Sequence, residues 1–306
     1  MIAVVGAGAM GGMLAARLKQ AGLDVMLVDV SEPLVEHIQE HGLIINSKDG
    51  SATVPIPATS RPADHKPADV VFFFVKAHHT ASAAALASPL IGPDTAIVSL
   101  QNGWGNADVL AERYPSERIV VGVTYHSATV VGLGQVSHTG TGDTFVGPYV
   151  DGGSLNLSER VSAMLNSAGL KTKATSLVKT EVWKKLILNA ATLPTSALTG
   201  LSAGEQGQPG PLLRLVDDLA LEATSVARAL GHDIDAQERI RLIHSVLEGA
   251  GQGKSSMLQD ADARRKTEIE VINGAVVAAA RKIGVKAPLN EAMVALIGGL
   301  ERSWAR

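Results

Sequence analysis

The stretch MIAVVGAGAMGGMLAARL, Met1 to Leu18, decides how the rest of the chain is read. Ile2 to Val5 form a short apolar run with the character of a buried strand. Gly6, Gly8 and Gly11 follow it with no charged residue between them, and GMLAARLKQAG, with helical spacing, runs on to Gly22. A lone GxGxxG is a weak signal, because glycines serve tight turns everywhere. Its place between a strand and a helix changes the reading. Gly6 permits the turn, Gly8 lets the backbone approach a pyrophosphate, and Gly11 allows the helix to pack closely on the strand. With Ala7, Ala9 and Met10 between them, these residues form a cradle at a helix N-terminus, where unsatisfied N–H groups and the helix dipole favour an anion.

The second apolar run, Val25 to Val28, ends at Asp29, about 20 residues past the glycines, where an acid binding the adenosine ribose is expected. A carboxylate there accepts hydrogen bonds from ribose hydroxyls and repels a 2′-phosphate. The next residues, Val30, Ser31, Glu32 and Pro33, supply no arginine or lysine. NAD(H) is therefore the favoured cofactor, with NADP(H) the alternative.

Composition bounds the partners. The chain has 306 residues, is 46% hydrophobic and carries a formal net charge of −3. It has material for packed cores and no basic footprint for nucleic acid. It contains no cysteine, which removes disulfides and thiolate metal sites and agrees with a reducing compartment. No apolar stretch reaches the roughly 18 residues of a membrane span, and Met1 leads straight into a strand without a signal-peptide pattern. A cytoplasmic protein is expected, with no membrane association.

The chain has two textures. Up to about residue 150, apolar runs recur at Ile2–Val5, Val25–Val28, Val70–Val75, Ala96–Leu100 and Ile119–Val123, separated by helical or loop segments, a rhythm that implies a parallel sheet with crossover helices. Gly132 to Gly147, GLGQVSHTGTGDTFVG, reads as a hairpin or meander about a Gly-Thr-Gly-Asp turn, expected to extend the sheet antiparallel. Beyond Ser176 the pattern turns helical. Leu212–Leu230 has three-four apolar spacing, Ala261–Ile283 and Pro288–Trp304 look similar, and Gly284 and Pro288 punctuate the gap between these last two. The fold class is α/β, an N-terminal Rossmann-type doubly wound sheet followed by an all-α C-terminal domain, with domains expected at 1–175 and 176–306. The small apolar helix EVINGAVVAAARKIG needs a close partner, from this chain or from a second subunit in a homodimer.

Ligands of such sheets lie beyond the carboxyl ends of the strands. Two loops there carry polar residues: Lys76 after VFFFV, and Gln101, Asn102 and Gly103 after AIVSL, all expected to face the nicotinamide end. In TEVWKKLILNAATLPTSAL, Lys185 and Asn189 stack on one helical face while Lys184 points about 100° away. Ser255 and Ser256 precede a short turn, and Glu268 is expected on a long helix. A lysine, an amide, a hydroxyl and a carboxylate from separated segments can converge on one cleft. His78 and His79 read as loop or helix-start residues, and His126 and His138 as partners of backbone groups. No metal site is expected.

Taken together, GAGAMG, FVKAHHT, LQNGWGN, HTGTGDTFVG, WKKLILN and above all SSMLQDADARRKTEIEVINGAVV make the chain resemble the ketopantoate reductase (2-dehydropantoate 2-reductase) family over almost its whole length. The resemblance implies reduction of a small 2-oxo acid to a 2-hydroxy acid by hydride transfer from a nicotinamide. It implies Lys185 as general acid with Glu268 as a second catalytic group, Lys76 and Asn102 at the interface of nicotinamide and substrate, and Asn189, Ser256 and Glu268 on the substrate. The chemistry agrees. Negative charge grows on the carbonyl oxygen as hydride arrives, and an ammonium there stabilises the charge and supplies the proton.

Three positions depart from the family pattern. Leu193 and Gly253 stand where asparagines are expected, and the loop TGLSAGE, Thr199 to Glu205, lacks one. Asp29 likewise departs from a preference for a 2′-phosphate. An asparagine replaced by leucine exchanges hydrogen bonds for apolar surface. These departures favour a paralogue acting on a 2-oxo acid with a less polar tail. A genuine 2-dehydropantoate 2-reductase of pantothenate biosynthesis and a non-catalytic NAD(H)-binding protein are the alternatives. A 3-hydroxyacid dehydrogenase shares the lysine–asparagine spacing but is disfavoured by SSMLQD and TEIEVING.

Overall fold

A computed structural model describes residues 1–48 and 50–304. The chain divides into two compact units, the first made of Met1–Gln101 and Asn106–Lys179, the second of Asn102–Gly105 and the chain from Thr180 onward.

In the first unit β1 (Ile2–Val5) leads through the glycine turn into α1 (Ala9–Gln20), and β2 (Val25–Val28) into α2 (Glu32–His41). β3 (Leu43–Ser47), β4 (Gly50–Val54), β5 (Ala58–Thr59) and β6 (Ala68–Phe73) follow, then α3 (Thr80–Ala87), β7 (Ile91–Ser99), α4 (Asn106–Ala111) and β8 (Ile119–Thr124). β9 (Ser127–Gly132), β10 (Gln135–Gly140), β11 (Thr144–Pro148), α5 (Asn156–Ser167) and β12 (Thr172–Ala174) complete it. The main sheet has the order β12-β11-β8-β7-β6-β1-β2-β5. β1 pairs in parallel with both β2 and β6, so the strand order reverses at β1. Both faces of this sheet are buried, as a parallel sheet under crossover helices requires. Along β1, Ile2 and Val4 enter one core with Leu14 and Leu18 of α1. Ala3 and Val5 enter the opposite core with Ala83 and Leu110. That is the two-residue alternation of a strand.

The Gly132–Gly147 expectation is corrected in one half. β11 does extend the main sheet antiparallel on β8. β10 does not pair with β11; it joins a second sheet of order β4-β3-β10-β9, antiparallel to β9 and parallel to β3. Gly140–Asp143 is thus a passage between sheets. Backbone there runs close to Tyr125, and a Cβ at Gly142 would lie 2.6 Å from the Tyr125 Cβ.

The second unit is helical: most of α6 (Val178–Thr199), then α7 (Ala203–Gln206), α8 (Pro211–Ala229), α9 (Ala236–Ala250), α10 (Ser256–Asp262), α11 (Asn273–Lys282) and α12 (Pro288–Ser303). Gly284 at φ +72° ends the α11 region, and Pro288 opens α12. The Ala261–Ile283 helix is corrected to two helices with a break. Arg264 turns to φ +51°, a conformation a helix cannot contain. Thr267 then gives its N–H (2.8 Å) and hydroxyl (2.6 Å) to Glu301 of α12. Glu268 therefore sits just before a single 3-10 turn, Ile269–Val271, and not on a long helix. Among the described residues no helix is long and apolar enough to cross a membrane.

Candidate active site

The glycine turn lies where β1 gives way to α1. Gly6 has φ +98°, and a Cβ there would meet the Phe74 backbone. At Gly11 a side chain would collide with the Gly6 carbonyl oxygen, so the helix rests directly on the turn. Gly8 is different: it is the exposed N-cap of α1, in extended backbone, and a Cβ there meets nothing within 4 Å. The first turn of α1, with the half-buried Ala9 and Met10, carries no acidic residue and no side-chain cap. Its N–H groups are left for an anion. The residues present fit a dinucleotide diphosphate.

Asp29 lies at the tip of β2. One carboxylate oxygen accepts the Ala7 N–H at 2.7 Å and the other the Ser31 N–H at 2.9 Å. The side chain thus ties the strand end to the glycine turn, with lone pairs left for further donors. Lys76, half-buried, ends the segment after β6, and its carbonyl accepts the His79 N–H at 2.8 Å. His78 and His79 close the short 3-10 turn Ala77–His79 there, their rings 4.2 Å apart.

Gln101 corrects its expectation. Its amide donates to the Val75 carbonyl (2.9 Å) and the Thr80 hydroxyl (2.8 Å) and accepts from Ser99 (3.0 Å). It is a buried clamp between the ends of β6 and β7, not a residue presented to a ligand. His126 and His138 find each other first, Nδ1 of the one 3.0 Å from Nε2 of the other, with Arg17 3.3 Å from His138. Burial depresses both imidazoles. Among the described residues no group of three or more His, Asp or Glu side chains is placed to hold a metal ion.

In the second unit Lys185 donates from Nζ to Asn102 Oδ1 at 2.9 Å. The loop bearing Asn102 is held by a close approach. Gly103, at φ +86°, has no room for a Cβ against Val271, and the Trp104 N–H donates to the Val271 carbonyl at 2.8 Å. Trp104 also lies against Trp183, ring centres 5.7 Å apart, two residues before Lys185. Val271 belongs to the 3-10 turn that Glu268 begins, so Asn102, Lys185 and Glu268 are held in one framework. Burial pushes the Lys185 ammonium down to about 8, and the charge of Glu268 opposes that fall. Lys184 points elsewhere and pairs with Glu181 at 2.8 Å.

Asn189 is one turn further along α6 and 7% exposed. Ser256 is the exposed first residue of α10, and the cap is its neighbour, Ser255, which accepts the Leu258 N–H at 3.1 Å. Leu193 is buried in α6. Gly253 closes a loop by accepting the Ala203 N–H (3.0 Å) and donating to Ala250 (2.9 Å). Trp104 and Val271, which fix the Asn102 loop, were not singled out in the sequence. The Gly103-Trp-Gly105 run was their only signal.

Residues 2–151 match the family model described as "Ketopantoate reductase PanE/ApbA" and residues 178–301 the one described as "Ketopantoate reductase PanE/ApbA C terminal". A 2-dehydropantoate 2-reductase of Archaeoglobus fulgidus is 32% identical over 301 residues, 98% of this chain and 97% of that protein. Among solved structures, D-mandelate dehydrogenase with NADH and anilino(oxo)acetate superposes with a TM-score of 0.94 at 27% identity, covering 100% of both chains. A 2-dehydropantoate 2-reductase from Geobacter metallireducens gives 0.92 at 29% identity over 99% of both chains.

Proposed function

Given that the chain belongs to the ketopantoate reductase family of NAD(P)-dependent 2-oxo acid reductases, we propose that it uses Lys185 as general acid, prefers NADH, and reduces a 2-oxo acid with a tail less polar than that of ketopantoate. The observation that carries this reading is the half-buried Lys185 ammonium, bonded to Asn102 and lowered to about 8.

A donor with that affinity is mostly protonated at neutral pH yet gives its proton up readily. Asn102 accepts one of its three N–H bonds and so fixes where the others point. Gly6, Gly8 and Gly11 would hold the diphosphate of a reduced nicotinamide dinucleotide, whose chemistry would be the supply of a hydride for the carbonyl carbon. Lys185 meets the charge that develops on the carbonyl oxygen and transfers its proton there, leaving a neutral amine. Glu268, buried and raising the affinity of Lys185 for a proton, favours its reprotonation from solvent. Asn189 and Ser256 are the candidate donors for the substrate carboxylate and tail.

The NADH preference is supported by Asp29, whose carboxylate already accepts two backbone N–H bonds and would confront a 2′-phosphate with like charge. The less polar tail is supported by Leu193, an apolar side chain one turn of α6 beyond Asn189, and by Gly253, which brings no polar side chain to its loop. The likeness to a dehydrogenase held with an anilino-substituted oxo acid points the same way.

Cofactor oxidation with NADH and NADPH against a panel of aliphatic and aryl 2-oxo acids, ketopantoate included, tests the reading. Preferential turnover of an apolar oxo acid with NADH is the expected result. Efficient ketopantoate turnover would make the chain a genuine ketopantoate reductase, and no turnover at all would leave a nucleotide-binding protein.

A further inference from the structure

We propose that Asn273 is a positioning residue for the reductase site: it holds α6, which carries Lys185 and Asn189, in register with the turn that carries Glu268. The inference rests on the function proposed above for what it does to turnover, and on geometry alone for the contact itself.

The starting point is Pro194, which lies inside α6. A proline has no N–H, so the carbonyl four residues earlier, that of Ala190, loses its helical donor. Such a carbonyl, fully buried as Ala190 is, needs a replacement. Two neighbouring carbonyls of this stretch have donors from α6 itself: Thr192 bonds Leu188 at 2.8 Å and Thr195 bonds Ala191 at 2.9 Å. The donor to Ala190 comes from another element, Asn273 Nδ2 of α11, at 2.9 Å.

The orientation of that amide is fixed from a distance. Glu222 of α8 can only accept, and takes the backbone N–H groups of Leu289 (3.0 Å) and Asn290 (2.8 Å) at the start of α12 together with Asn290 Nδ2 (2.8 Å). Asn290 must then present its oxygen to Asn273, which donates to it at 2.9 Å. Both N–H bonds of the Asn273 amide are thereby committed, one to Asn290 and one to Ala190. Its own oxygen is left buried without a hydrogen-bond partner. An unpaired buried acceptor costs free energy. The amide keeps this orientation because turning it over would set its oxygen against two other oxygens.

The relay therefore runs from α8 through α12 and α11 and ends on the one carbonyl of α6 that proline leaves open. Lys185 lies five residues before Ala190, and Glu268 five before Asn273. The bond joins the two segments next to the groups whose spacing sets the state of the ammonium. Asn273 touches neither substrate nor Lys185; it acts through the backbone of α6.

Four proteins decide the matter: wild type, Asn273→Ala, Pro194→Ala and the double variant. Pro194→Ala returns an N–H to position 194, and with it a helical donor for Ala190. Asn273→Ala alone should lower Tm by a few degrees and kcat on the order of tenfold to 10²-fold, as expected for a small misplacement of catalytic groups, with KM for NADH unchanged. In the double variant most of both losses should be recovered. Equal losses in both backgrounds, or a fall in activity that only follows the unfolded fraction, would overturn the proposal. Should Asn273→Ala not fold, Asn273→Ser in the same two backgrounds is judged by the same criteria. The rate at which an amine-directed acylating reagent modifies Lys185, read by peptide mass, reports placement without turnover. It should change in Asn273→Ala and return in the double variant, and identical rates in all four proteins would overturn the proposal even if no 2-oxo acid were reduced.

Discussion

The glycine turn and the site proposed for the proton donor are built in opposite ways. In the first unit the cradle is backbone: three glycines within six residues make the turn, open the approach and seat the helix. In the second unit the proposed chemistry rests on side chains drawn from positions 102, 185 and 268, and what aligns them is contact among distant segments. A backbone site fails by losing its shape. A side-chain site can lose its chemistry while the fold stays intact.

The largest effect is expected at Lys185. Lys185→Ala should lower kcat by about 10² to 10⁴, or roughly 3 to 5 kcal/mol of transition-state stabilisation, with NADH binding retained. Near-normal turnover would remove Lys185 from its role and erase the contrast. Next come the glycines, which separate shape from access. Gly11→Val drives a side chain into the Gly6 carbonyl and should cost about 1–3 kcal/mol or more in unfolding free energy by denaturant titration. Gly8→Val, with open space around its Cβ, should leave that stability alone and weaken NADH binding by roughly tenfold or more, about 1.4 kcal/mol, by calorimetry.

The pH dependence sharpens the side-chain half of the comparison. Reduction needs Lys185 protonated, so its rate should fall as pH rises through about 8, while oxidation of the hydroxy acid, which needs the neutral amine, should rise over the same range. Glu268→Gln removes the charge that opposes the fall in Lys185, and the alkaline limb should move to lower pH. An unmoved limb would detach Glu268 from Lys185. The smallest effect belongs to Asp29. Asp29→Asn relieves a like-charge contact with a 2′-phosphate of about 1 kcal/mol near water, and the NADPH to NADH ratio of kcat/KM should rise by several-fold.

How much was legible in the sequence follows the same division. The glycine turn after β1 and the place of Asp29 at the end of β2 could be read because both belong to one strand–turn–helix–strand stretch of about thirty residues. The second sheet could not. β10 pairs in parallel with β3, some ninety residues earlier, and alternation within GLGQVSHTG says nothing about which strand it will meet. The 261–283 stretch kept helical spacing across the break at Arg264, and the bond of Thr267 to Glu301 that holds the chain beyond it is long-range. Gln101 was placed at the right loop and given the wrong direction, because a polar residue after a strand can face a ligand or clamp the strand ends. Lys185, Asn102 and Glu268 were read from a family resemblance together with the chemistry of carbonyl reduction, and helical spacing alone joins only Lys185 to Asn189.

The four residues Asn102–Gly105 are grouped with the second unit although both flanking segments belong to the first. In evolutionary terms, the inheritance of the two halves is interleaved. A single crossover between two relatives at the start of α6 would take the Asn102 loop from one parent and its seat, Trp183 and Val271, from the other. Such a chimaera would keep both units and join an Asn102 loop from one parent to a Trp183 and Val271 seat shaped for another's.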